Sequence, residues 1–132
     1  MMAAPLIVGN DVRTMMDTTR TAAETRDILL NTEVSAVDQD PWARRARSCK
    51  RHPVSCKVWV KPSADGSRAV LLVNRASVSS TITADWGRVG LTTKKARVRD
   101  LWAHTDSAWV ENRYAAGVPS HGVVMLRVWP IP

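Results

Sequence analysis

The sequence predicts a mainly β protein: an antiparallel β-sandwich or barrel, preceded by a short α/β leader and a basic linker. Three observations carry that prediction. Residues 57–74 read as a β-hairpin, because Val58-Trp-Val60 and the apolar run 69–73 flank Pro62-Ser-Ala-Asp-Gly66. Proline presets φ, and Asp-Gly supplies the left-handed positions that return a strand on itself. Beyond the hairpin, short strand-like runs recur to residue 129 with turns between them and no helical stretch, which is the texture of an antiparallel module. Ahead of it, residues 1–41 hold one apolar run and then a helical stripe, a different texture altogether.

The elements follow in order. Leu6-Ile-Val8 reads as a short buried strand with Pro5 at its entrance, closed by Gly9-Asn10-Asp11. Asp17-Thr-Thr19 is a helix start, and residues 21–31 present Ala22, Ala23, Thr25, Arg26, Ile28, Leu29 and Leu30 as a one-sided stripe, with Asn31 ending it. Residues 33–37 are a short continuation. Pro41 then pushes Asp40 out of helical space. One strand and one or two helices cannot close a core, so residues 1–41 read as the end of a larger α/β domain. Residues 42–57 show no periodicity and read as an exposed linker. Within the module, the hairpin's second arm is apolar at consecutive positions and belongs in a sheet covered on both faces. Further strands are expected at 79–84, 96–102, 109–114 and 123–129, with turns at Asp85-Trp-Gly87, Lys94-Lys95 and Ser120-His-Gly122.

Composition narrows the function classes. The net charge of +7 invites a nucleic-acid partner, but its placement argues against one. Six basic residues and no acid lie in residues 42–57; outside that tract thirteen basic residues face twelve acidic ones. The basicity is local. No run approaches the roughly 18 apolar residues of a membrane helix. Residues 1–9 lack the basic leader of a signal peptide, and no compartment follows from the sequence. Cys49, His52 and Cys56 are one ligand short of a zinc site at an unusual spacing; the two cysteines can pair in an oxidising compartment or stay as thiols. No metal and no cofactor is expected.

The chain holds six Trp, one Tyr and no Phe. Indole faces suit sugar rings, yet in a chain without Phe tryptophan is the natural core filler, and packing is the expected role of Trp59, Trp86, Trp102 and Trp129. The three histidines are scattered, with no nucleophile or carboxylate motif beside them in sequence, and His121-Gly122 reads as a turn.

Several phrases together resemble the α-galactosidases (melibiases) of glycoside hydrolase family 27. They are Met2-Ala-Ala-Pro-Leu-Ile-Val-Gly-Asn-Asp-Val-Arg13, Asp27-Ile-Leu-Leu-Asn-Thr-Glu-Val34 and Ala36-Val-Asp-Gln-Asp-Pro41, followed by Val58-Trp-Val-Lys-Pro62, Asp65-Gly66 and Asn74-Arg75. Val98-Arg-Asp-Leu-Trp-Ala-His104 and His121-Gly-Val-Val-Met-Leu126 complete the set, which covers most of the chain in the family's order. The resemblance implies a (β/α)8 barrel followed by a C-terminal antiparallel β-sandwich. Residues 1–41 would then be the last barrel strand and helix, 42–57 the linker and 58–132 the sandwich.

The resemblance also implies a retaining glycosidase acting on terminal α-galactosides. One carboxylate attacks the anomeric carbon and a second, roughly 5 Å away, protonates the leaving oxygen. The family carries these in a Lys-x-Asp-x-Cys motif and near a Trp-Asn-Asp-Pro-Asp motif, and neither occurs here. No catalytic residue is therefore assigned, this chain alone is expected to be inactive, and the barrel is its expected packing partner. Asn10 and Asp11 follow the last barrel strand, where barrel enzymes place their loops. They either brace the active site from behind or simply cap the turn.

Two stretches depart from the family: residues 15–25 are longer than its usual link, and residues 42–56 replace its glycine-rich continuation. A shifted reading frame and ordinary divergence both produce such a block. Two rival functions stand beside the resemblance. A sandwich without catalysis can bind carbohydrate, and the tract 44–57 can bind an anionic polymer with steep salt dependence.

Overall fold

The computed structural model describes residues 13, 20–48 and 57–132. The strand expected at Leu6-Ile-Val8, the pair Asn10–Asp11, and Cys49, His52 and Cys56 lie outside them. Helix α1 spans Arg20–Leu29 and α2 spans Thr32–Asp38. The strands are β1 (Arg47–Ser48), β2 (Val58–Pro62), β3 (Arg68–Val73), β4 (Ser80–Asp85), β5 (Lys95–Asp100), β6 (Thr105–Glu111), β7 (Arg113–Val118) and β8 (Val123–Ile131). A short helix α3, Trp86–Val89, follows β4. Six strands form one antiparallel sheet in the order β1-β2-β3-β8-β5-β6, and β4 pairs with β7 in a second.

The predicted hairpin is present, with Trp59 opposite Leu71 and Val60 opposite Val70. Its turn closes through the Ser63 amide to the Ser67 carbonyl (3.0 Å), and Gly66 takes the left-handed conformation at φ +82°. The Asp65 carboxylate accepts from the Ser67 amide and hydroxyl, which fixes the corner from inside. Strand β3 sits between β2 and β8 and is covered on both faces, as its unbroken apolar run predicts.

Alternation explains the core. On the inner face Val70, Leu72, Ala96, Val98, Leu126 and Val128 pack against Ile82, Ala84 and Val118 of the second sheet, with Trp86 closing one end. On the outer face Ala69, Leu101 and Met125 form a smaller cluster that receives Val37 of α2. Between them the two clusters make a sandwich with a helix on its back.

Four expectations need correction. The run 109–114 is not one strand: Asn112, at φ +62°, turns the chain between β6 and β7. The Asn112 amide donates to the Lys94 carbonyl (2.7 Å) and its carbonyl accepts from the Trp86 amide (2.9 Å), so the corner is fixed by distant partners that no local pattern reveals. Asp85-Trp-Gly87 opens helix α3, which ends at left-handed Gly90. Asn31 does not end α1 but starts α2, its side chain accepting from the Glu33 and Val34 amides (3.1 and 3.0 Å). The basic stretch expected as linker contributes an edge strand, Arg47 and Ser48 pairing with Val60 and Trp59.

Candidate functional site

The densest set of directed polar contacts lies where α2 meets the outer face of the large sheet. Asn31 works at both ends: its Oδ1 caps α2, and its Nδ2 donates to the Leu101 carbonyl at 2.8 Å. Buried beneath the far end of α2, the Lys61 ammonium donates to the Val37 and Asp38 carbonyls. A cation there satisfies carbonyls that the helix leaves unpaired. Asp40 then accepts from the Trp42 amide (3.1 Å) and the Ala64 amide (3.0 Å), stitching the segment after α2 to the hairpin turn.

Glu33 is the electrostatic centre of this seam. Arg99 holds its carboxylate in a fork, Nε to Oε2 at 2.6 Å and Nη2 to Oε1 at 2.9 Å, while His104 Nδ1 lies 2.6 Å from Oε1. Arg99 also reaches Asp106 through Nη1 at 2.8 Å. The Arg99 hydrogen bonds, reinforced by His104, pull the Glu33 carboxyl from 4.5 down to about 2. A carboxyl held that low is ionised at neutral pH, the opposite of what a general acid requires. It binds; it does not deliver protons.

A second network stands further along the same face. Asp65 accepts from Arg127 Nη2 (3.1 Å) and from the Trp129 indole (3.3 Å), and Trp129 lies under the Arg97 guanidinium at 4.3 Å. Burial alone would raise the Asp65 carboxyl, but the Ser67 hydroxyl and amide, with Arg127, outweigh it and hold it below the usual value. Asp100 accepts from the Trp102 and Ala103 amides (2.9 and 3.0 Å) at the end of β5. These carboxylates brace turns and the seam.

Among the described residues no three His, Cys, Asp or Glu side chains come together as a metal would need, and no helix is long and apolar enough to cross a membrane. The tryptophans divide. Trp86 is buried and donates to the Val110 carbonyl, and Trp102 packs beside Leu101 and Met125. Trp109, at 72% exposure, stands clear of the core. His121 occupies the predicted turn with a left-handed backbone. His104 was not legible as a partner of Glu33, because 71 residues separate them. Asn31 could have been found: Asn-Thr-Glu ahead of an apolar position is a helix-start signal.

Comparison with known proteins bears on this arrangement. Residues 54–128 match the family described as the alpha galactosidase C-terminal beta sandwich domain. The chain is similar to an α-galactosidase from Cyamopsis tetragonoloba, 38% identical over 130 residues, which takes in 96% of this chain and 29% of that protein. Its fold is similar to the crystal structure of α-galactosidase I from Mortierella vinacea, with a TM-score of 0.81 and 27% identity over 97% of this chain and 32% of that one. It is also similar to a family 27 β-L-arabinopyranosidase from Geobacillus stearothermophilus, TM-score 0.78 at 25% identity, covering 97% of this chain and 27% of that one. The chain thus spans about three tenths of the length of its curated relatives.

Proposed function

The chain belongs to the family 27 α-galactosidases, matching their C-terminal β-sandwich domain, and on that premise we propose that it is the supporting sandwich of an enzyme that hydrolyses terminal α-galactosides. In this reading residues 1–41 end a (β/α)8 barrel, 42–57 join it to the sandwich, and 58–132 are the sandwich. The barrel supplies both carboxylates: one attacks the anomeric carbon, and the other protonates the departing oxygen and then activates water.

The observation that carries this reading is the state of the two helices. Helix α2 is pinned to the sheet by Asn31, Lys61 and Glu33, yet just before it Ile28 and Leu30 are 58% and 68% exposed. Ile28 on α1 and Leu30 in the turn after it leave apolar surface open beside the anchored α2, which suits a further domain packed there. The seam then sets the angle at which barrel and sandwich meet.

Two enzymes of different stated sugar specificity resemble the chain over nearly its whole length, which supports placing specificity in the barrel. The reading is tested by exchanging the matching segment of the Cyamopsis tetragonoloba α-galactosidase for this chain. The expected chimera hydrolyses p-nitrophenyl α-galactoside. A chimera that is folded and soluble but without turnover contradicts the proposal.

A further inference from the structure

The inner edge of the sandwich carries a feature that neither the catalytic reading nor the seam uses. A cleft of about 730 Å³ opens between the β1–β2 edge of the large sheet and the end of β4 with α3. That volume lies within the range of small-molecule sites, about 300–1,000 Å³. Its floor is apolar, formed by Val58, Val60, Pro62, Ala84 and Val89. Four arginines line it, Arg44, Arg47, Arg68 and Arg88, with one acidic residue, Asp85.

The four arginines come from separate stretches of chain. Arg44 and Arg47 belong to the basic tract, and pairing of β1 with β2 carries Arg47 to the cleft. Arg68 opens β3 and is steadied by the Gly66 and Ser67 carbonyls at 2.8 and 3.0 Å and by the Gly90 carbonyl at 3.3 Å. Arg88 stands on α3, 3.7 Å from Asp85. Arg44 lies over the Trp42 ring at 4.6 Å, which orients it without neutralising it. Asp85 offsets one of the four charges. The remaining excess is positive, so that close to half of the chain's net charge of +7 is gathered beside an apolar floor.

We propose that this cleft binds a small amphiphilic anion, an apolar chain or ring that carries a sulfate, phosphate or carboxylate head. The floor takes the apolar body, and the guanidiniums take the head through charge-assisted, forked hydrogen bonds. A polyanion needs only a line of charge and makes no use of an apolar floor. A neutral sugar makes no use of the arginines. The site is independent of the α-galactosidase reading.

The test is a titration of the whole 132-residue chain with octyl sulfate below its micelle concentration, set against octyl glucoside and inorganic sulfate. Octyl sulfate is expected to bind with an affinity that falls as salt rises, and each comparison probe to bind at least about tenfold more weakly, the equivalent of one charge-assisted bond or a few buried methylenes. Arg47→Glu and Arg88→Gln, both at the solvent edge, are each expected to weaken octyl sulfate binding about tenfold with the melting temperature retained. Nuclear Overhauser contacts from the octyl chain to the Val60 and Val89 methyls locate the bound tail. Equal binding of octyl glucoside, equal binding of free sulfate, indifference to both substitutions, or binding of duplex DNA without octyl sulfate each overturns the proposal.

Discussion

On the inner face of the six-stranded sheet, Val70, Leu72, Val98, Leu126 and Val128 meet Ile82, Ala84 and Val118, apolar surface against apolar surface. On the outer face, Val37 of α2 joins a smaller cluster of Ala69, Leu101 and Met125, flanked by Val34, Leu71 and Trp102, and the helix is otherwise held by Asn31, Lys61, Asp40 and Glu33. The inner contact is non-directional and scales with area removed from water, at about 25 cal/mol per Å². The outer contact is directional and depends on individual donors and acceptors. One face therefore makes the sandwich stable, and the other fixes a helix at a defined angle.

The largest expected effect lies on the inner face. Leu72→Ala empties a fully buried position between the sheets and is expected to cost about 2–5 kcal/mol of global stability in urea unfolding. A change below ~1 kcal/mol would show that the inner core is not what holds the fold. On the outer face, Lys61→Met keeps the aliphatic stem but leaves the Val37 and Asp38 carbonyls without their cation. The expected loss is about 1–3 kcal/mol, and hydrogen exchange should localise it to α2 while β3 and β8 stay protected. Uniform loss of protection would merge the two faces into one cooperative unit.

The smallest effect sharpens the contrast by pH. Glu33 has a folded value lowered to about 2, so its contribution is complete above 4.5 and is lost as pH falls through about 2. Wild type and Glu33→Gln should differ in α2 protection at pH 6 and converge in that acid window. Because the network is partly exposed, the difference is modest. A difference that does not vary with pH would remove Glu33 as the electrostatic centre of the seam.

What the sequence disclosed follows the same division. The hairpin, strand β3 and the two-faced burial were legible, because alternation and turn chemistry are local properties. The Asn112 corner was not, since its amide and carbonyl are satisfied by Lys94 and Trp86, far from it along the chain. Pairing of β1 was hidden too, because Arg47-Ser48 has no strand signature and takes its conformation from the open edge of β2. The seam is the clearest case. Lys61 alternates correctly in a strand, and nothing local shows that its outward position lies beneath a helix. Family phrases, by contrast, were readable without any contact, and the family they resemble is the one whose C-terminal β-sandwich residues 54–128 match.

On the proposed reading, this chain supports galactoside hydrolysis without performing it. The direct test is the rate at which the purified 132-residue protein releases p-nitrophenol from p-nitrophenyl α-galactoside. The expected result is no rate above the buffer blank at any protein concentration. A rate proportional to protein, retained through successive purification steps and abolished by one carboxylate substitution in this chain, would contradict the claim and place a catalytic pair within these residues.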